Sequence, residues 1–222
     1  MNTAQAGFFI EIIYFVAISA LCLGIYVKTK RVHRVSEHPG IGYFRNAFLF
    51  FSLTYLFRFI LLNLDFLSEI ADRNLIVSLE TFSMFLVVYF SLLAVFYLAA
   101  SFSWKDFGFI NDNFLHLTAL FISGIIFFTK LPVLLAMLGF IAIIFLILKG
   151  YSNYKSEKGR IFSKLFVVYT LLLAFWFFDL VPFTQSIMRF ELNSFGYLIS
   201  VCIFIYIYYR ITKVLAVEKE EE

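Results

Sequence analysis

Gly42-Tyr-Phe-Arg-Asn-Ala-Phe-Leu-Phe-Phe-Ser-Leu-Thr-Tyr-Leu-Phe-Arg58-Phe-Ile-Leu-Leu-Asn-Leu-Asp65 is the stretch whose reading decides the fold. It exceeds the roughly 20 apolar residues that a helix needs to cross a bilayer. It also carries Arg58 well inside the apolar run. A charge near the centre of a membrane helix costs about 2.5–3.5 kcal/mol on insertion scales, so Arg58 calls for a partner or a water-filled cavity.

The rest of the composition agrees with a membrane reading. The chain has 222 residues, of which 62% are hydrophobic and 15% charged. A soluble domain has about 45–50% apolar and about 25% charged residues. Apolar runs consume the length and leave no room for a soluble catalytic or DNA-binding domain. The net charge of +3 does not point to nucleic acid, because the cations sit in short segments between apolar runs, where they set topology. Cys22 and Cys202 both fall inside predicted spans and read as small buried hydrophobes rather than a disulfide framework. The 32 Phe and 13 Tyr read as packing and lipid-facing bulk. Met1–Gly7 has no Lys or Arg, so the first apolar run is expected to remain as a span rather than be cleaved as a signal.

The pattern predicts an all-α bundle of seven transmembrane helices occupying 1–213, followed by a short charged tail at 214–222. The spans are Phe8–Val27, Tyr43–Leu67, Leu75–Phe102, Phe114–Thr129, Pro132–Leu148, Ile161–Val181 and Asn193–Thr212. Asn111-Asp112-Asn113 reads as a helix cap and Pro132 as a first helical turn. Lys28-Thr-Lys-Arg-Val-His-Arg34 and Lys149–Arg160 are read as basic loops. They share a face with the end of the seventh span if the N-terminus is outside and the C-terminus cytoplasmic. The expected location is therefore the cytoplasmic membrane, as a multi-pass protein. Anionic lipid headgroups are the expected partners of Lys28, Lys30, Arg31, Arg34, Lys155, Lys158 and Arg160. Phe44, Phe48, Phe57 and Phe59 align at a constant offset with Phe162, Phe166, Phe175 and Phe177. This echo suggests parallel halves, about 8–102 and 132–213, joined by the fourth span.

In this orientation Arg58 and three acids, Glu11, Glu80 and Asp179, converge on the outer half of the bundle. Thr54, Arg58 and Asp65 share one side of the second span. Glu80, Ser83, Val87, Ser91 and Ala94 form a small and polar stripe on the third. Trp176 lies near Asp179, and Asn193, Tyr197, Ser200 and Phe204 share a face of the seventh span. The candidate ligand-binding set is Arg58, Glu80, Asp179, Glu11, Thr54, Asp65, Trp176 and Tyr197, with Glu80 as the expected partner of Arg58. The alternative is a structural ion pair between helices.

No His-Glu-x-x-His, Gly-x-Ser-x-Gly, phosphate-binding glycine loop or Cys-x-x-Cys occurs, so no catalytic, metal or cofactor site is expected. Covalent retinal is not expected either, because the last span has Lys213 only at its end. The leading reading is a non-enzymatic sensor or receptor-like module working through a separate cytoplasmic or membrane partner. A small-solute transporter of three-plus-one-plus-three architecture and a structural subunit of a membrane complex are the alternatives.

Overall fold

A computed structural model describes residues 3–67, 72–103, 111–129 and 190–217, with further helical positions at 137, 141, 144–145, 148, 168, 171–172 and 175. Five continuous helices result: α1 (Thr3–Ser36), α2 (Pro39–Leu67), α3 (Arg73–Ser103), α4 (Asp112–Thr129) and α5 (Phe190–Val217). Among the described residues, four helices are long and apolar enough to cross a membrane, through Phe9–Ser36, Pro39–Leu61, Arg73–Ser101 and Asp112–Thr129.

The helix boundaries correct one expectation. Lys28–Arg34 is not a loop; it continues α1, which is 34 residues long. At 1.5 Å per residue α1 spans about 50 Å, against a hydrocarbon core of about 30 Å. The segment contains no Gly or Pro, so its basic residues only mark where the helix leaves the apolar layer. Termination comes at Glu37, the one non-Gly residue with positive φ among those described (50°), and its N–H donates to the His33 carbonyl at 2.9 Å. Proline at position 39 disfavours helical geometry at His38 and opens α2 at its first turn. The His38 carbonyl accepts from Ile41 and Gly42 N–H at 3.1 and 3.3 Å. His33 Nδ1 also donates to it at 3.2 Å, so the tight α1–α2 turn is stitched from both sides. The expected cap of α4 is present, with Asn111 Oδ1 accepting from Phe114 N–H at 2.8 Å.

Stripes at three- and four-residue spacing assemble the bundle. On α1, Tyr14, Ile18, Cys22 and Ile25 are buried, whereas Ile13, Val16, Leu23 and Val27 are exposed. Both faces are apolar, which suits a helix with protein on one side and lipid on the other. The predicted stripe on α3 is buried at Ser83, Val87, Ser91 and Ala94, and on α5 at Ser200 and Phe204.

Contacts between helices give their directions. Tyr14 meets Tyr55 (ring centroids 6.0 Å) and Tyr26 meets Arg45 (5.6 Å), so α1 and α2 are antiparallel. Phe57–Phe90 (5.6 Å) and Phe50–Tyr97 (5.0 Å) make α2 and α3 antiparallel. Phe85–Phe127 (5.7 Å) and Tyr97–His116 (5.9 Å) do the same for α3 and α4. The first and last helices differ. Tyr14 stacks on Tyr197 (4.5 Å) and Lys28 lies over Tyr208 (4.5 Å), so α1 and α5 run parallel. The end of α4 and the start of α5 therefore lie on the same side of the bundle. Val168, Leu172 and Phe175 are buried, and Phe175 packs edge-on against Phe204 (4.8 Å) and near Tyr55 (6.1 Å).

Candidate functional site

The first, second and last helices build the polar cluster. On α1, Glu11, Tyr14 and Phe15 share a face by their spacing of three and four. Tyr197 of α5 donates its hydroxyl proton to Glu11 Oε1 at 3.1 Å while its ring stacks on Tyr14 at 4.5 Å. Tyr55 of α2 presents its edge to Tyr14, with the rings 84° apart. Arg58, three residues further along α2, places its guanidinium carbon 5.4 Å from the Tyr55 ring centroid, which is cation–π range. Glu11, Tyr197, Tyr14, Tyr55 and Arg58 thus form a continuous strip across three helices, with Tyr14 and Tyr55 buried and Glu11, Arg58 and Tyr197 half-buried. Ser200, buried on α5 next to Tyr197, has an Oγ with no hydrogen-bond partner among the described residues. A hydroxyl in that condition is a place where a water or ligand polar group is expected.

The expected residues fare differently. Glu11 and Tyr197 are brought into direct contact, and Arg58 joins them through Tyr55 and Tyr14. Glu80 is exposed near the start of α3, beside exposed Leu79 and Phe82, and makes no ion pair with Arg58. The expected Arg58–Glu80 pair is not among the contacts shown for the described residues, where the Arg58 guanidinium lies over the Tyr55 ring of its own helix. Thr54 is buried and spends its hydroxyl on the Phe50 carbonyl of its own helix at 3.0 Å. Asp65 lies in α2, and its side chain is outside the described residues, as are Asp179 and Trp176.

Four polar contacts escaped the sequence reading. Ser19 and Ser52 meet across α1 and α2 at 2.8 Å, each also reaching the other's backbone carbonyl (3.3 and 3.2 Å). Lys28 Nζ, which lies over the Tyr208 ring, donates to Thr212 Oγ1 at 3.1 Å. His116 of α4 lies between two α3 hydroxyls, Tyr89 Oη at 2.8 Å from Nδ1 and Tyr97 Oη at 3.3 Å from Nε2. Of the basic residues, Lys28, Lys30, Arg31 and Arg34 are exposed along the end of α1; Lys155, Lys158 and Arg160 lie outside the described residues.

Exposed apolar residues along helices long and apolar enough to cross a bilayer define a helical membrane protein. The chain is 26% identical over 213 residues to an uncharacterized protein of Archaeoglobus fulgidus, covering 92% of both chains. No family model matches the sequence. No solved structure matches it either.

Proposed function

We propose that the protein is a seven-helix sensor of the cytoplasmic membrane, N-terminus outside, which reads a small ligand through the Glu11–Tyr197–Arg58 strip. The observation that carries this reading is that α1 and α5 are joined at both ends by polar contacts. Glu11–Tyr197 lies at one end and Lys28–Thr212 at the other, about 25 Å along the helix at 1.5 Å per residue. A ligand that competes for the Glu11 carboxylate or the Tyr197 hydroxyl changes how the two helices sit together at the first contact. Rigid α1 then carries that shift to its exposed basic end, where anionic lipid or a separate partner responds. Glu11 offers a hydrogen-bond acceptor, Ser200 an unused hydroxyl, and Tyr14, Tyr55 and Tyr197 aromatic faces. That combination suits a small solute with donor groups and an apolar face.

The seven-helix count is supported by the parallel run of α1 and α5. An even number of crossings between Thr129 and Phe190 returns the chain to its starting side, and Pro132–Leu148 and Ile161–Val181 are two apolar runs of spanning length. The exposed cations at the end of α1 support a cytoplasmic position for that end.

The test is distance measurement by pulsed electron paramagnetic resonance between spin labels at Arg34→Cys and Lys213→Cys, in a Cys22→Ala, Cys202→Ser background. Coupling predicts that Glu11→Gln shifts the mean distance by on the order of 2 Å, the size of interface helix movements. An unchanged distribution in both Glu11→Gln and Tyr197→Phe overturns the coupling. Solute uptake by proteoliposomes, abolished by Arg58→Ala, would replace the sensor with the transporter reading.

A further inference from the structure

We propose that the seam between α1 and α5 holds one anionic phospholipid, its phosphate at Lys28, Arg31 and Thr212 and an acyl chain along the seam. Such a lipid is the partner of the basic end of α1 in the sensor reading, and only its signalling role rests on that reading. Gly24, Lys28 and Arg31 follow one another at spacings of four and three, so they share a face of α1. Tyr208 and Thr212, four apart, line the facing side of α5. A Cβ on Gly24 would come within 3.0 Å of Tyr208, so the two helices touch at that level. One turn on, Lys28 Nζ stands 4.5 Å from the Tyr208 ring centroid and donates to Thr212 Oγ1 at 3.1 Å. Lys28 and Arg31 are exposed, so this face opens outwards rather than into the bundle.

The donors at this level are largely unspent. An ammonium has three protons, and Lys28 gives one of them to Thr212. Thr212 accepts that bond, and its own hydroxyl proton has no acceptor among the described residues. Arg31 makes no hydrogen bond among the described residues, and no carboxylate among them pairs with Lys28 or Arg31. Two uncompensated cations and a free hydroxyl suit a phosphate group, which brings negative charge and several acceptor oxygens.

The same two faces are apolar towards the middle of the helices. On α1, Ile13, Ala20 and Val27 precede Arg31 on its side by their spacing, and all three are exposed. On α5, Leu198 and Ile205 stand at seven-residue intervals before Thr212 and are exposed too. An apolar track that ends in cations and a hydroxyl matches an amphiphile with an anionic head, whereas free phosphate would use one end alone. The seam also separates the cations of α1 from one another. Lys30 lies about 200° round the helix from Lys28, at 3.6 residues per turn, and faces away from α5. A discrete site therefore uses Lys28 and Arg31 but not Lys30, whereas a diffuse attraction to an anionic surface would use all of them alike.

The test is native mass spectrometry of the full-length protein in a neutral detergent, titrated with phosphatidylglycerol and, separately, with phosphatidylcholine. The site predicts one tightly retained phosphatidylglycerol and no retained phosphatidylcholine. Arg31→Gln and Lys30→Gln remove the same charge from opposite sides of α1. Arg31→Gln is expected to weaken the retained lipid about fivefold, the usual worth of one cation near an anionic surface, and Lys30→Gln to leave it unchanged. Thr212→Val, which keeps the shape and deletes the hydroxyl, is expected to weaken it as well. Equal losses in Arg31→Gln and Lys30→Gln, or equal retention of the two lipids, overturn the site. Displacement of the lipid by an equal concentration of inorganic phosphate overturns the lipid as occupant. Unchanged helicity by circular dichroism shows that each variant has folded. Glu11 and Tyr197 stay intact throughout, so a failed spin-label coupling leaves this result standing, and a failed lipid site leaves the coupling standing.

Discussion

The Tyr197 hydroxyl of the last helix donates to the Glu11 carboxylate of the first at 3.1 Å, while the same ring stacks on Tyr14. One residue therefore supplies both a polar and an aromatic contact between helices far apart in sequence. Removing the hydroxyl in Tyr197→Phe keeps the stack and deletes the bond. Cross-helix hydrogen bonds in membranes average about 0.6 kcal/mol and reach about 1.7 kcal/mol, and Tyr197→Phe is expected to fall in that range. A cycle with Glu11→Gln, followed by unfolding in mixed micelles, measures the coupling.

Ser19 and Ser52 meet hydroxyl to hydroxyl at 2.8 Å, and each reaches the other's carbonyl. Small side chains let α1 and α2 approach closely at this level. Ser19→Ala and Ser52→Ala are expected to cost about 0.5–1.5 kcal/mol each, because each removes a shared bond. The double variant should cost clearly less than the sum of the two, since the surviving partner no longer seeks the missing group. Additive losses would show that the pair is not coupled.

A Cβ at Gly24 would sit 3.0 Å from Tyr208 Cε2, closer than an ordinary van der Waals contact. Tyr208 is also the ring beneath Lys28. Gly24→Leu is expected to push Tyr208 aside, part α1 from α5 and cost about 1–3 kcal/mol, the usual range for overpacking. Gly24→Ala should cost much less, because only the far edge of a flexible ring must yield. Thermal unfolding of the two variants in the same detergent checks the order.

Glu37 closes α1 with φ at 50°. A side chain in this left-handed conformation costs about 1–2 kcal/mol, which glycine avoids apart from its own backbone entropy of about 0.5–1 kcal/mol. Glu37→Gly is expected to leave stability unchanged or raise it by up to about 1 kcal/mol. Glu37→Val, branched at Cβ, should lower it. The melting temperatures of the two variants should bracket that of the wild type or place it near the glycine form.

Much of the helical frame is written in local pattern. The stripe Ser83, Val87, Ser91 and Ala94 names the buried face of α3, and Asn111 caps α4, because three- and four-residue spacing and capping need no knowledge of neighbours. Lys28–Arg34 misleads because charge marks the edge of the apolar layer rather than the end of the helix. The partner of Arg58 is not legible, since sequence gives depth but not rotation between helices. Glu80 is opposite to Arg58 in charge, yet the α2–α3 register set by Phe57–Phe90 leaves it well beyond the level of Arg58, on an exposed turn. Glu11 looks like an interfacial acid until the parallel approach of α5 brings Tyr197 to it. The His116 contacts are hidden for the same reason: Tyr89 and Tyr97 become neighbours of one imidazole only when α3 and α4 pack antiparallel.

The proposed sensor role requires that the strip around Glu11 and Tyr197 open to water on the outer side. Labelling of single cysteines with a membrane-impermeant maleimide tests it most directly, in a Cys22→Ala, Cys202→Ser background. Leu198 neighbours Tyr197 but lies on the exposed apolar face, where lipid excludes the reagent. The account predicts that Tyr197→Cys labels in intact cells and that Leu198→Cys does not. Labelling of Tyr197→Cys only in inside-out vesicles, or on neither side, would contradict it.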